Sequence, residues 1–172
     1  ISCNRGTSSG ASSASMDLGD IGAPVEITAE NILQKLVEMS VVLDEQCVPQ
    51  EGRFVVLPHA FKNVLMNSPL ACAYCSGLSQ SLYVNGRVPG ELVGFRLYFS
   101  HNVPMVDDPT NRKAWHIVAG LPMATVFATQ MEKMREFEGH DSFDKYFQGL
   151  QVYGFDVMYP KALVDMYATL AN

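Results

Sequence analysis

Residues 28–65 carry the strongest secondary-structure signal in the chain and constrain its fold more than any other stretch. Apolar side chains recur there at intervals of three and four residues, as on one face of an amphipathic helix. These residues are Ile32, Leu33, Leu36, Val37, Met39 and Leu43. Thr28 can cap this helix through its hydroxyl, and Glu30 follows in the first turn, where negative charge is favourable. Because Pro49 cannot continue a helix, the helix is predicted to end within residues 44–47.

A buried strand and a second helix follow within the same stretch. Residues 54–57 read Phe-Val-Val-Leu, an unbroken apolar run that is typical of a strand covered on both faces. Pro58 would stop that strand, and it suits the first turn of a new helix. The apolar positions of that helix would be Phe61, Val64 and Leu65. The stretch therefore predicts helix, turn, buried strand and helix in this order.

Strands are predicted for much of the remaining chain. Residues 92–100 alternate between apolar and polar side chains, which indicates a half-buried strand. Residues 115–120, 123–129 and 150–159 are predicted strands as well. Residues 101–113 contain two prolines and several polar residues, which predict a surface loop.

Four other segments are also assigned from their residues. The Asn-Gly pair at residues 85–86 is a turn signal, so a hairpin or a flexible loop is expected within residues 67–90. Propensity favours a helix over residues 131–138, and residues 141–147 could form a short helix. Pro160 would begin a final helix or an edge segment that continues to residue 170.

The composition indicates how much apolar surface the chain must bury, either in its own core or against partners. A length of 172 residues suits one domain with a substantial core. Hydrophobic residues make up 48% of the chain and charged residues only 17%, which fits either a large core or a surface that partners bury. Residues 1–23 contain seven Ser or Thr and four Gly, so a mobile arm or linker is expected there. The chain starts with Ile1, so we expect it to be processed or to be a piece of something longer.

Charge and hydropathy argue against two classes of partner. The formal net charge is −6 and no more than two Lys or Arg residues are adjacent, so sequence-specific nucleic-acid binding is not predicted. No apolar run approaches the roughly 18 residues that a transmembrane helix needs. The first residues do not resemble an export signal. We therefore expect a soluble protein without a membrane partner.

The cysteines raise the question of redox or zinc chemistry. Cys72 and Cys75 have the spacing of a redox dithiol or of half a zinc site. The sequence around them shows neither a clear strand-to-helix context nor two further ligands at matched spacing. Together with Cys3 and Cys47, they are interpreted as thiols of a reducing compartment, and redox or metal use stays an alternative.

The other candidates for chemistry are isolated. His59, His101 and His140 lie singly, whereas His116 lies in a predicted apolar strand and is expected to be a hydrogen-bonded core or interface residue. The pair at residues 107–108, two aspartates beside a proline, is interpreted as a solvated turn and not as an acid–base couple or calcium loop. Phosphate-loop, serine-elbow and zinc-protease motifs are absent from the sequence. No catalytic, cofactor-binding or metal-binding residue is predicted.

Four segments of the chain resemble the major capsid (coat) proteins of tailed bacteriophages. The first reads LDE at residues 43–45, VP at 48–49, Arg53 and VVLP at 55–58. The others follow in the order that the family shows: GFRLY at 94–98 with Ser100, Asn102 and Pro104, ATVFATQ at 124–130, and GLQVYGFDVMYPKAL at 149–163. The resemblance covers residues 27–167 and is closest to the podovirus-like branch of the Hong-Kong-97-type fold.

The resemblance implies an α+β fold, with a mixed β-sheet flanked by helices as the axial domain and an extended strand segment in the peripheral domain. The chain would be the C-terminal half of the subunit, after an N-terminal arm, an extended loop and a spine helix. Residues 1–26 would then be a flexible N-terminal arm or linker, 27–122 part of the axial domain, and 123–172 the returning strands and C-terminal segment. The resemblance also implies that residues 131–138 continue a strand, and we follow it over helix propensity.

The function that the resemblance implies is structural. Identical coat subunits would assemble into an icosahedral head around DNA, with scaffolding and portal proteins as further partners. Assembly would take place in the bacterial host cytoplasm, and the product would be the virion capsid. The loops at residues 67–90 and 101–113 would make contacts within capsomers. Two alternatives stay open: a small cytosolic α/β redox or metal-binding protein that uses Cys72 and Cys75, and a phage scaffold or tail component.

Overall fold

The computed structural model describes residues 4–10, 12–69, 91–110, 112–140 and 143–171. Its described residues divide into two units. The first contains the residues up to Ala124 together with those from Tyr159 onward, and the second is Thr125–Met158. The predicted hairpin or loop at residues 67–90 lies almost wholly outside the described residues, which resume at Glu91.

The first unit is organised on a mixed seven-stranded sheet. Its strands are β1 (Val25–Ile27), β2 (Phe54–Pro58), β3 (Glu91–Leu92), β4 (Phe95–Ser100), β5 (Met105–Asp107), β6 (Lys113–Gly120) and β9 (Leu163–Leu170). The order across the sheet is β1-β9-β6-β2-β4-β3, and β5 pairs with β6 outside this path. β1 runs parallel to β9 and β2 parallel to β4, whereas the other pairs are antiparallel. The predicted α+β class with a mixed sheet is confirmed.

Helix α1 (Ile32–Glu45) supplies much of the core that is built around this sheet. Five of its side chains are buried, and each contributes about 1.5–3 kcal/mol through burial. They are Ile32, Leu36, Met39, Val42 and Leu43. Val37, which the sequence placed on the core face, is 45% exposed. The apolar stripe is therefore narrower than predicted.

The helix start is close to the prediction but shifted. The N–H of Asn31 donates to Thr28 Oγ1 at 3.3 Å, and the Thr28 N–H donates to Asn31 Oδ1 at 2.8 Å. This reciprocal pair satisfies two backbone donors, as in a capping box. Thr28 thus caps a turn that leads into the helix, which begins at Ile32, so Glu30 precedes the helix and does not lie in its first turn.

The strand and second helix predicted after the turn are both present. β2 contains the predicted run and ends at Pro58. Helix α2 (Phe61–Met66) buries Phe61 and Leu65, as expected. Val55 and Leu57 are buried on one side of β2, while Phe54 and Val56 on the other side are partly exposed. The strand is therefore covered fully on one face only.

Residues 92–100 do not form the single strand that their alternation predicts. They form a hairpin, in which Leu92 of β3 pairs with Phe95 of β4. The two residues between them have positive φ, 55° at Val93 and 75° at Gly94, as in the tight turns that join antiparallel strands. A β-branched residue is unusual at such a position, so the sequence concealed the turn.

Two further predictions near the C-terminal part of the first unit were wrong. Residues 101–113 are not wholly loop, because β5 pairs with β6 through Met105 and Trp115. Pro160 begins a single 3₁₀ turn, Pro160–Ala162, and not a long helix. β9 follows and lies between β1 and β6, so it is an inner strand and not an edge segment. The alternating pattern of its residues was hidden because side chains on both of its faces are buried.

Part of the segment expected to be an arm contacts the sheet. Leu18 and Asn4 are fully buried. The Tyr167 N–H donates to the Leu18 carbonyl at 2.8 Å, and the Asn4 side-chain amide donates to the Leu163 carbonyl at 2.8 Å. These backbone groups of β9 are therefore satisfied by the N-terminal segment. The division into an arm, an axial portion and returning segments stays a prediction.

The second unit is a long two-stranded antiparallel ribbon. Strand β7 (Thr125–Glu138) pairs with β8 (Lys145–Val157), and one bulge lies between Met131 and Lys133. The continuing strand over residues 131–138 is confirmed, against helix propensity. The short helix at residues 141–147 is wrong for its described part, because β8 begins at Lys145.

Candidate functional surfaces

The described residues offer little that could serve as a catalytic centre. Groups of three or more His, Cys, Asp or Glu that could hold a metal ion do not occur among them. A pocket of about 470 Å³ lies beside β1, β6 and β9, and its lining includes Trp115, Lys113 and the ion pair between Arg112 and Glu26. None of the helices in the described part of the chain is long and apolar enough to cross a membrane.

Arg53 holds the turn between α1 and β2. Its side chain is 1% exposed and pairs with Asp44 at 2.6 Å. The same guanidinium donates to the carbonyls of Val48 at 2.6 Å and Pro49 at 2.9 Å, and to Ser40 Oγ at 3.1 Å. The residues of the LDE, VP and Arg motif thus meet in space around one buried cation. Their role in this chain is structural, because the cation satisfies carbonyls that the turn would leave unpaired.

Asp108 is a buried centre that joins three parts of the first unit. It is 3% exposed, which contradicts the solvated turn expected for residues 107–108. Its carboxylate accepts hydrogen bonds from the Thr110 hydroxyl at 2.5 Å, the Gly22 N–H at 2.8 Å and the Tyr167 hydroxyl at 3.0 Å. The hydrogen bond from Thr110, with those from Gly22 and Tyr167, outweighs desolvation and lowers the pKa of Asp108 to about 2. Burial, with the carboxylate of Asp108 beside it, raises the pKa of Tyr167.

We predict that Asp108→Asn removes part of the acid sensitivity of the fold. The pKa of Asp108 is about 2 in the folded chain, against 3.8 ordinarily. A depressed folded pKa stabilises the fold above the unfolded pKa, and this stabilisation is lost as pH falls through about 2. The variant should melt at a lower temperature at pH 7 and show a flatter melting profile between about pH 5 and 2. Asp107→Asn, at an exposed neighbour, is the matched control and should keep the wild-type profile.

His116 is a hydrogen-bonded histidine at the sheet, as expected. Its Nδ1 lies 3.1 Å from Asp165 Oδ2, and its ring lies 4.9 Å from that of Tyr167. Asp165 also faces Arg5, whose Nε is 3.6 Å away. The cluster joins β6, β9 and the N-terminal segment, so it is best explained as a contact that holds these elements together.

The ribbon of the second unit carries many of the exposed large apolar side chains among the described residues. Cross-strand pairing places Phe127 opposite Phe155 and Met134 opposite Gly149, so these side chains share one side. We call this side the aromatic face; its exposed large apolar members are Phe127, Met134, Phe147, Tyr153 and Phe155, and it also carries the polar residues Thr129, Glu136, Glu138, Lys145 and Gln151. The exposures of these apolar members run from 65% to 80%. Exposed apolar surface of this extent indicates a contact site.

The opposite side, which we call the mixed face, combines apolar and polar groups. Its members include Val126, Gln130, Lys133, Arg135, Phe137, Tyr146, Gln148, Leu150, Val152 and Asp156. Arg135 Nε donates to Gln148 Oε1 at 2.8 Å, and its guanidinium lies 5.5 Å from the centre of the Phe137 ring. Phe137 also stacks on Tyr146 at 5.5 Å. The large apolar residues here are only 42–52% exposed. The two faces therefore differ in how much apolar surface they leave open.

Among the described residues, the histidines and cysteines singled out in the sequence do not take part in a group of three or more possible metal ligands. Cys72 and Cys75 lie outside the described residues, and Cys47 is an exposed free thiol. His59, His101 and His140 are exposed at separate points of the chain. In the predicted loop at residues 101–113, Met105 and Val106 of β5 are 52% and 41% exposed.

The aromatic face was missed by the sequence analysis. A signal was present, because apolar side chains occupy both alternating positions of these strands, as in Val126 with Phe127 and Val152 with Tyr153. Such a pattern indicates a strand that is covered on both sides. A two-stranded ribbon has nothing of its own to cover its faces, so the same pattern there indicates surfaces that another part of a protein covers.

The comparisons with known proteins connect this fold with phage capsids. No protein-family model matches the chain, and no curated protein matches it. Among solved structures, a chain from Mycobacterium phage Che8 is 26% identical, with a TM-score of 0.68 over 83% of this chain and 50% of that one. The capsid of Cyanophage P-SCSP1u contains a chain that is 16% identical, with a TM-score of 0.64 over 85% of this chain and 48% of that one. The capsid of Ralstonia phage GP4 gives 13% identity and a TM-score of 0.60 over 89% and 51%.

These structures define the class of the fold. The chain has the fold of phage capsid proteins, as the resemblance implied. It spans about half the length of the phage chains that it matches, 50%, 48% and 51% in the three cases.

Proposed function

We propose that this chain is part of a major capsid subunit of a tailed phage, and that its role is to build the shell. The single observation that carries the proposal is the likeness in fold, over 83–89% of the chain, to chains of three phages, two of them from structures titled as capsids. The exposed apolar ribbon supports it, because a shell protein must reserve surface for other parts of the assembly. The podovirus-like branch is part of the same proposal.

The subunit would act through shape and not through chemistry. Many identical copies would bury complementary surfaces, and the sum of weak contacts would close and hold the shell. The described residues with ordered polar contacts, Arg53 and Asp108 above all, stabilise the fold. Identical coat subunits would be the main partners, with scaffolding and portal proteins as additional ones. The subunit would assemble in the host cytoplasm and remain in the virion.

Within the first unit, residues 101–113 are the candidate contact loop. β5 presents Met105 and Val106 to solvent, and Arg112 and Lys113 follow at the start of β6. Exposed apolar groups beside cations are suited to a partly polar contact between subunits. The loop at residues 67–90, which lies largely outside the described residues, stays a second candidate. The redox alternative with Cys72 and Cys75 gains no supporting observation.

We predict that reversing both charges, with Arg112→Glu and Lys113→Glu, impairs assembly of the full-length subunit. The change replaces two cations by two anions at a surface that would meet a neighbour. Anions of the neighbour that pair with these cations would then face like charges, which is strongly unfavourable across an interface. The fraction of subunit in fast-sedimenting particles should fall at least about fivefold, the effect that roughly 1 kcal/mol has on a single association equilibrium. Sedimentation velocity measures it directly.

A charge swap provides the control. Arg112 pairs with Glu26 inside the chain. The pair Glu26→Arg with Arg112→Glu keeps this internal attraction but reverses the charge that each position presents to a neighbour. If assembly fails in the double reversal and in the swap, the outer surface is responsible. Unchanged sedimentation of the double reversal would remove this loop from the proposed contacts.

A further inference from the structure

One end of the sheet in the first unit has two flanks that face away from each other. β6 pairs with β5 along one edge and with β9 along the other, and β1 continues the sheet beyond β9. Val106 lies opposite Ala114, Ala114 opposite Thr169, and Thr169 opposite Glu26. Because neighbouring strands are about 4.8 Å apart, roughly 14 Å separate Val106 from Glu26. We call the two ends of this row the β5 flank and the β1 flank.

The pocket of about 470 Å³ belongs to the β1 flank. Volumes of about 300–1,000 Å³ are usual for binding pockets. The apolar part of the lining consists of Trp115, Leu170 and Ala171, and the charged part of Glu26, Arg112 and Lys113. The Trp115 ring contacts the buried Phe61 ring edge-on at 5.6 Å, which fixes its position. The pocket thus combines a fixed aromatic ring with exposed cations.

The β5 flank carries groups that complement this pocket. Met105 is 52% exposed and Val106 is 41% exposed. Asp107, which follows them at the end of β5, is exposed as well. A methionine thioether makes favourable contacts with aromatic rings, and a carboxylate is attracted to cations. Two apolar side chains and an acid therefore face one way, and an apolar pocket with cations faces the other.

We infer that Met105 and Val106 of one subunit enter the pocket beside Trp115 of a second subunit, where Asp107 meets the cations of the pocket. The inference rests on the proposed function and deepens it, because it names the partner of the contact loop at residues 101–113. A chain cannot fill its own pocket in this way, since β6 and β9 lie between the two flanks. Contact between unlike flanks joins copies head to tail, and it closes into a ring if the rotation between them closes.

The charges favour contact between unlike flanks over contact between like flanks. Two β5 flanks would bring together the Asp107 carboxylates of both copies. Two β1 flanks would bring together Arg112 and Lys113 of both copies. Like charges that meet across an interface are costly, whereas opposite charges fix its orientation. The observed distribution of charge therefore selects the contact between β5 of one copy and the pocket of the next.

Cysteine cross-linking of the full-length subunit tests the inference. Val106→Cys with Ala171→Cys places one thiol on β5 and one in the pocket lining. Within one chain these positions lie at least two strand spacings apart, about 10 Å, whereas a disulfide needs Cα atoms within about 7 Å. Oxidation by copper phenanthroline in air should therefore link different copies. Particles of this variant should give a ladder of covalent dimers, trimers and larger species on a non-reducing gel.

A matched pair of cysteines provides the control. Val37 on α1 is 45% exposed, close to the 41% of Val106, and it does not line the pocket. Val106→Cys with Val37→Cys should give no ladder beyond the background of the native cysteines. Each single cysteine variant should give none either.

The outcomes separate this inference from the proposed function. Particles that form without the ladder would overturn the inference and leave the proposed function intact. Covalent dimers from Val106→Cys alone would show that β5 meets β5, which also overturns it. If particles never form, concentrated unassembled subunit is oxidised in the same way. A ladder there would support the inference while the proposed function fails, and no ladder would overturn both.

A charge placed on the β5 flank gives a second measurement. Val106→Lys would add a third cation where Arg112 and Lys113 of the next copy lie, whereas Val37→Lys makes the same change on α1. The fraction of subunit in particles should fall at least about fivefold for Val106→Lys and stay near the wild-type value for Val37→Lys. Thermal unfolding of both variants checks that they fold. Equal fractions for two folded variants would contradict the contact.

Discussion

Replacing Arg53 with Met is expected to lower the free energy of unfolding by about 3 kcal/mol. The substitution keeps much of the side-chain volume but removes the donors that pair with the carbonyls of Val48 and Pro49. These carbonyls lie against a guanidinium that is 1% exposed, so water does not replace it without rearrangement of the turn. Asp44 is 41% exposed and can be rehydrated, which limits the loss.

Urea unfolding of the chain and of two control variants measures this effect. Asp44→Asn leaves the carbonyl contacts of Arg53 in place and should cost about 1 kcal/mol. Arg112→Met removes an exposed ion pair with Glu26 and should cost less than about 1 kcal/mol. A value for Arg53→Met no larger than that for Arg112→Met would show that the buried guanidinium does not hold the turn.

Gly19→Ala is expected to destabilise the chain by about 3 kcal/mol or more. Gly19 has a φ of +77°, which costs an alanine about 1–2 kcal/mol. A Cβ atom at this position would also lie well inside van der Waals contact with the carbonyl oxygen of Tyr167. Because that oxygen belongs to the backbone of β9, the clash can be relieved only by moving the N-terminal segment away from the sheet.

The variant Gly22→Ala separates the cost of the positive φ from the cost of the steric clash. Gly22 has a φ of +90° but open space around its Cβ position, so only the backbone cost applies there. Its N–H to Asp108 is retained. Thermal unfolding should therefore show a small loss for Gly22→Ala and a much larger one for Gly19→Ala. Equal losses would mean that residues near Gly19 do not contact β9 in solution.

Local features of the fold could be read from the sequence. The spacing of Ile32, Leu36 and Met39 identified α1, because the apolar face of an amphipathic helix is visible within the sequence of that helix alone. Thr28 was recognised only in part: it accepts a hydrogen bond from Asn31, three residues away, but in a turn before the helix and not as the helix cap. The motif around Arg53 was visible as a resemblance, but its physical meaning, a cation buried in a turn, needed coordinates.

Features that depend on distant residues could not be read in this way. Asp108 looks like a turn residue until Gly22 and Tyr167, 86 and 59 positions away, are seen to donate to it. β9 looks like a helix or an edge because no local pattern tells that β1 and β6 lie on either side of it. The turn at Val93 was hidden because a β-branched residue rarely adopts positive φ.

Of the candidate surfaces, one could also be read from the local sequence and the other could not. The loop at residues 101–113 was marked by its prolines, although its strand β5 was not expected. The aromatic face was not marked, because the alternation of β7 and β8 carries apolar residues on both sides and a single strand does not say which side is covered. The pairing of the two strands showed which side chains share a face, because Phe127 lies directly opposite Phe155, which is 28 positions away in the sequence.

Cryo-electron microscopy of the full-length subunit, expressed alone and together with a scaffold, tests whether this fold builds a shell. We expect closed icosahedral particles whose subunit density contains the seven-stranded sheet and the β7–β8 ribbon. A subunit that remains unassembled under both conditions, or that forms only open or tail-like structures, would contradict it.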